Sequence, residues 1–161
     1  MYQIGQKVVY GASGVCRVMD QKEEKGKQYL VLEPEGQENS RYFVPLTNPA
    51  AMNKLHPMLT REEMENLLSF ARNHSASWVS DENQRKQLYR ELISGGDWQR
   101  LMGTMCTLYR YKAARAAEGK KCHVCDDLFL KAAEKLLAGG VSAVLEMNME
   151  QAKQYLRTRL S

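Results

Sequence analysis

Four cysteines and three histidines are the side chains through which this chain would do metal or redox chemistry. The densest group is Cys122-His123-Val124-Cys125, and Cys-x-x-Cys spacing lets two thiolates share one tetrahedral zinc ion. A closed zinc site needs a second ligand pair. Cys16 and Cys106 lie far away in sequence, in segments that read as strand and helix interior. A redox-active dithiol is the other use of this spacing, but it belongs with a βαβ pattern that the sequence lacks. The cysteines are therefore expected to be core and capping-region residues, reduced in a cytosolic setting, with no metal and no cofactor. His56, His74 and His123 each fall in or beside a loop without a paired nucleophile or carboxylate. No nucleophile elbow, P-loop or dinucleotide fingerprint occurs. Glu62-Glu63 and Asp126-Asp127 sit near helix starts, where negative charge offsets the helix dipole. An enzymatic function is not expected.

Charge points toward binding instead. Lys and Arg exceed Asp and Glu by 23 to 19, and the whole excess lies in residues 80–121, with 9 basic against 5 acidic side chains. Such a run reads either as a solvated helical face or as a surface for phosphates, whose counterions it displaces. No apolar run approaches the roughly 20 residues that span a bilayer, and Met1 to Gln6 lack the basic and apolar blocks of a signal peptide. A cytoplasmic protein without a membrane partner is expected.

The elements that must position these groups divide the chain in two. Residues 4–46 alternate and turn as short antiparallel strands: Val8 and Tyr10, Val15 to Met19, Tyr29 to Leu32, and Tyr42 to Leu46, separated by Gly11, Gly14, Gly26 and Gly36. Strands this short suggest a closed or nearly closed small barrel. Asn48-Pro49 marks a turn, and Leu55-His56-Pro57-Met58 reads as an extended linker. Beyond it the period becomes helical. Thr60 and Glu63 form a capping-box pattern ahead of a helix over 61–73; Ser80 or Asp81 caps a second that ends at Ser94-Gly95-Gly96. Asp97 caps a third, a fourth starts near Val124 and runs to Gly139-Gly140, and Asn148 caps the last. The expected fold is α+β in two domains: a β-barrel over 1–52, a linker over 53–59, and about five helices over 60–161.

The stretch Ile4-Gly5-Gln6-Lys7-Val8-Val9-Tyr10-Gly11-Ala12-Ser13-Gly14-Val15, then Gly26 to Leu32 and Val44-Pro45, closely resembles the CarD/CdnL family of bacterial transcription regulators and the matching module of transcription-repair coupling factors. Trp78 with the basic stretch after it, Ser94-Gly95-Gly96-Asp97, Leu108-Tyr109-Arg110, and Asp127, Leu130, Ala133-Glu134 and Leu136-Leu137 are similar to the family's helical part. With no ATP-binding motor motif, full repair coupling is not expected.

The resemblance implies a Tudor-like or SH3-like domain that adds a strand edge to the RNA polymerase β subunit, followed by a helical DNA-binding domain. In the family a tryptophan enters the minor groove at the upstream edge of the transcription bubble and favours the open promoter complex. Carried onto this chain, the wedge is Trp78, with Asn83, Arg85, Lys86 and Arg90 as neighbouring DNA contacts. Trp98, amid Leu101, Met105 and Leu108, is expected in the core. Candidate polymerase contacts are Arg17, Lys22, Lys25, Arg41 and Tyr42, since strand addition constrains side chains loosely. Four features depart from the relatives, the first being a longer stretch between Trp78 and Gly96. Phe43 stands where some carry a basic residue, Gly11 where proline is frequent, and Gly139-Gly140 where the family helix continues. The implied protein is a monomer that joins the nucleoid through polymerase. An alternative is a polymerase-binding adaptor whose helices recruit another protein, and a further one is a solitary Tudor-like module for an unrelated ligand.

Overall fold

The computed structural model describes residues 2–161, which divide into two compact units: residues 2–58 with 94–96, and residues 59–93 with 97–161. The first holds one antiparallel sheet. Its strands are β1 (Lys7–Tyr10), β2 (Gly14–Glu24), β3 (Lys27–Pro34), β4 (Tyr42–Pro45) and β5 (Leu55–Pro57), in the order β4-β3-β2-β1-β5. Strands β2 and β3 form the long central hairpin. Its two-residue turn places Lys25 at φ 53° and Gly26 at φ 76°, the paired left-handed conformation whose twist matches that of the flanking strands.

Period-two alternation sends Val8, Cys16, Val18, Leu30, Leu32, Val44 and Leu55 to one face, where they form the core. A register shift between Val18 and Asp20 marks a bulge at Met19, which bends the strand and sharpens its twist. The ladders do not close into the expected barrel. Among the described residues β4 and β5 remain the two edges. Helix α1 (Pro49–Met52) packs beside β4 and lays Ala51 and Met52 against the core. The edge strands, of four and three residues, are too short to bridge that gap.

Residues 55–57, expected within a linker, instead form β5. Leu55 is buried in the core, and Tyr10, Val9 and Val8 pair with Leu55, His56 and Pro57. An edge position tolerates the proline, because a missing N–H there costs no ladder bond. Three residues are too few for alternation to be legible.

The second unit is built from α2 (Arg61–Asn73), α3 (Glu82–Gly95), α4 (Trp98–Ala117), α5 (Val124–Leu145) and α6 (Met149–Leu160). Capping sets their starts. Thr60, Asp81, Asp97 and Asn148 accept from the backbone N–H of Glu63, Gln84, Arg100 and Gln151, and Gln151 returns a bond to Asn148. The core gathers Met64 and Leu68, Leu101, Met102, Met105 and Leu108, Leu137, Leu156 and Leu160. Helix α5 runs straight through Gly139-Gly140, where an early end is expected from the glycine pair. The reason is packing. A Cβ at Gly140 would lie 2.3 Å from the Trp98 ring, so glycine serves close approach here and not termination. The helix stops at Glu146, which adopts φ 56°.

Candidate functional site

One of the two edges of the sheet is the outer side of β4. The Leu46 N–H donates to the Gln28 carbonyl at 3.0 Å. With Leu30 opposite Val44 and Leu32 opposite Tyr42, alternation turns the backbone groups of Val44 and Tyr42 toward β3 and those of Phe43 outward. Pro45 falls where its missing N–H would also point outward. The exposed edge is thus short and carries an unpaired peptide group that can bond to an incoming strand. Phe43 is 55% exposed and lies on the face opposite the core, with the Lys22 ammonium 5.9 Å from its ring centroid. Tyr42 points to the other face, its ring 6.2 Å from that of Tyr10. Arg41 pairs with Glu33 and donates to the carbonyls of Glu38 and Ser40, which ties down the loop leading into the edge.

In the helical unit, Trp78 sits in the loop between α2 and α3. That loop is held against α4: Ala76 N–H donates to the Gly103 carbonyl at 3.2 Å, the Thr107 hydroxyl donates to the Ala76 carbonyl, and Arg110 donates to Ser75 Oγ at 2.8 Å and to the Arg72 carbonyl. The indole is half-buried. It stacks on Tyr111 at 3.8 Å between centroids, the Arg85 guanidinium lies over it at 4.6 Å, and Arg115 lies over Tyr111 at 5.6 Å. Asn83, Lys86 and Arg90 are exposed along one face of α3, at the i, i+3, i+7 spacing of a single stripe.

Arg85 does not belong to that stripe. Expected as a DNA contact, it is 3% exposed and forms a salt bridge with the fully buried Asp126, Nε to Oδ1 at 3.1 Å. Its Nη2 also donates to Asp126 Oδ2 at 3.3 Å, and its Nη1 donates to the carbonyls of Val79 and Ser80. The physical reason is helical phase: Arg85 lies about half a turn from Asn83, whereas Lys86 lies only about a sixth of a turn from it, so Arg85 shares the inner face with Tyr89 and Leu92. Tyr89 donates to Asp126 at 2.6 Å. Burial, with that bond second, pushes the phenol well above its usual pKa and keeps it a donor. Asp126 is therefore the anchor of a buried network under Trp78, whereas its neighbour Asp127 faces out to Lys112.

The cysteines offer no activated thiol. Burial pushes Cys16 up to about 11, with Glu35 adding to it. Burial also raises Cys122 and Cys125, helped chiefly by Asp127 and Asp126 respectively. Among the described residues no three His, Cys, Asp or Glu side chains gather into a metal-binding group.

Set beside models of known families, residues 2–56 match the CarD-like/TRCF RID domain, RID standing for RNA polymerase interaction domain. Residues 2–56 are a CarD-like/TRCF RID domain. The match implies interaction with RNA polymerase and covers about a third of the chain, ending within β5. Comparison with curated proteins finds no match. No helix is long and apolar enough to cross a membrane among the described residues.

Within the RID domain, Lys22, Arg41 and Tyr42 adjoin the β4 edge. Arg17 does not, being two strands in, between Lys7 and Glu33, and Lys25 occupies the hairpin turn. Phe43 is the residue that sequence reasoning passed over. Its signal was present, an aromatic side chain directly before Val44-Pro45. Tyr111 and Asp126 were also missed. Tyr111 looks like one more aromatic on an amphipathic helix, and the pairing of Arg85 with Asp126 spans 41 residues, which no local pattern signals. Trp98 is 5% exposed, as expected of a core residue.

Proposed function

We propose that the chain is a non-catalytic regulator of transcription that binds the RNA polymerase β subunit through the β4 edge of its RID domain. Its helical unit then meets promoter DNA at the upstream edge of the bubble and modulates the stability of the open complex. The observation that carries this reading is the free β4 edge, with Phe43 at its centre, in the segment that matches the RID domain. The DNA half is supported by the basic excess in 80–121, the exposed stripe of Asn83, Lys86 and Arg90, and the half-exposed indole of Trp78.

Tyr111 and Arg85 hold the indole against the helices, so Trp78 acts as a braced edge set against the minor groove. Bracing lowers the conformational entropy lost on insertion, and an apolar wedge of this kind fills the gap left by partly unstacked bases. Each contact is weak alone; tethering through polymerase raises the effective concentration of the other. The reading requires no cofactor, and it places the protein in the cytoplasm, on the nucleoid with polymerase.

The test uses the full chain, polymerase holoenzyme and a promoter whose open complex is short-lived. Trp78→Ala is expected to keep its retention on polymerase and to lose the effect of the wild-type chain on open-complex lifetime. An unchanged lifetime effect removes Trp78 from the mechanism. Failure of the wild-type chain to bind polymerase removes the whole reading.

A further inference from the structure

The two most exposed large apolar side chains of the helical unit are Val124, at 74%, and Leu128, at 60%. They stand four residues apart on α5 and so share one face, a face that neither the core nor the reading above employs. Beside them runs a groove of about 430 Å³ between α3 and α5, with Ile93, Leu128 and Phe129 among its lining and Lys86 and Arg90 on its α3 side.

Its course follows from the contacts beneath it. Glu82 meets Cys125, Arg85 meets Asp126, and Tyr89 stacks on Phe129 at 4.1 Å. These contacts advance along both helices in the same sense, so the first turns of α3 and α5 lie together here, and the groove between their ridges is the kind of surface into which another helix packs.

Exposed cations border the channel on both helices, Lys86 among them already paired with Glu82. Lys86 and Arg90 edge it on α3, while Lys131 and Lys135 continue the exposed stripe of Leu128 on α5 at i+3 and i+7. The carboxylates nearby are already engaged: Asp126 under Arg85, Asp127 with Lys112, and Glu82 with Lys86 at 3.6 Å.

We infer that this groove is a docking site for an acidic amphipathic helix of a partner protein. An apolar channel takes the apolar stripe of such a helix, read as anchors at i, i+3, i+4 and i+7, and the flanking lysines and arginine meet its carboxylates. Duplex DNA matches the cations but leaves the apolar lining unmatched, because its interfaces are polar and strongly charged. Lys86 and Arg90 also belong to the proposed DNA stripe. The acidic helix and DNA therefore compete for these two cations, and occupancy of the groove weakens the DNA contact.

The probe is a fluorescein-labelled synthetic peptide of roughly five helical turns, with leucines on one face and glutamates on the flanks, titrated against the full chain. Two controls carry lysine for glutamate or serine for leucine, and a short promoter duplex forms a separate arm. The acidic peptide is expected to bind at least tenfold more tightly than either control. Leu128→Asp, which alters an exposed side chain, is expected to reduce that binding at least tenfold with an unchanged circular dichroism spectrum. The double variant Lys131→Glu, Lys135→Glu is expected to reduce it severalfold, and the duplex should displace the peptide. Equal binding of the three peptides, or indifference to Leu128→Asp, overturns the inference. So does a Leu128→Asp variant that loses the duplex while keeping the peptide, which would make the groove a nucleic-acid contact.

Discussion

Phe43 and Trp78 are both aromatic, both partly exposed, and both have a cation over the ring, Lys22 in one case and Arg85 in the other. They are held in place in different ways. Phe43 is positioned by the ladder between β3 and β4, which depends on backbone groups and would form with many other side chains. Trp78 is positioned by side chains: Tyr111 stacked on it, Arg85 over it, and Asp126 and Tyr89 behind Arg85. The proposed polymerase edge is main chain, whereas the proposed DNA wedge is an indole held by side chains that rest on a buried charge pair. The RID domain should accordingly tolerate changes at its working edge, and the helical unit should not tolerate changes well away from its own.

The largest effect expected from this difference is at the buried pair. Asp126→Ala leaves the Arg85 guanidinium uncompensated at 3% exposure, and removing one partner of a buried pair costs about 3–5 kcal/mol. Both tryptophans, Trp78 and Trp98, lie in the helical unit, so urea unfolding followed by tryptophan fluorescence reports that unit. A loss below about 1 kcal/mol would mean that Asp126 does not hold Arg85 in place, and the contrast with Phe43 would fall.

Next in size is Gly140→Ala. The added Cβ would meet the Trp98 ring at 2.3 Å, and overpacking of this kind costs about 1–3 kcal/mol. In a Trp98→Leu background the same substitution should cost markedly less. Equal cost in both backgrounds would trace the penalty to helix geometry and not to the ring.

What could be read in advance divides along the same line. Turns and caps are local, so Gly26, Thr60, Asp97 and Asn148 announce themselves, and the helix over 61–73 carries its start signal and its apolar period together. Residues 4–46 show their strands for the same reason. Closure of the sheet was not legible, because it depends on whether four- and three-residue edge strands meet across α1. Nor was the inward phase of Arg85. A cation in a basic run looks solvated until its acid is known, and that acid lies in another helix. Gly140 misled for a related reason: a glycine that lets a ring approach looks, in one dimension, like one that ends a helix.

The β4 edge gives the third test. Because the Phe43 N–H points outward, Phe43→Pro removes no bond to β3 but takes away the donor an added strand would use. Retention on polymerase should fall at least tenfold, about 1.4 kcal/mol, whereas Phe43→Ala should lose less. If alanine costs as much as proline, the ring and not the backbone makes the contact, and the two aromatics work alike after all.

The smallest effect separates the units by pH. Glu134 accepts from Arg157 at 3.0 and 2.8 Å and from Tyr109 at 2.5 Å. Burial alone would raise its pKa, but the Arg157 and Tyr109 bonds outweigh burial and hold the carboxyl below the usual range. Glu65 is held low in the same way, first by Tyr155 and then by Arg159. A carboxyl whose folded pKa is depressed contributes stability that is fully present above its unfolded value, near 4.5, and that is lost as pH falls through the folded value. Both groups belong to the helical unit, so its tryptophan-detected stability should decline as pH drops below about 4.5. Glu134→Gln should be less stable than wild type at neutral pH and should show a shallower decline in acid, since glutamine keeps an acceptor for Arg157 but has no proton to gain. Alkali cannot draw the same distinction. The raised thiol of Cys16 makes the sheet lose stability between about pH 9 and 11, and the raised phenols of Tyr89 and Tyr109 act in the same direction on the helices. Acid is therefore the condition under which the side-chain-built unit should weaken first, and parallel acid slopes for wild type and Glu134→Gln would show that the Glu134 bonds do not set it.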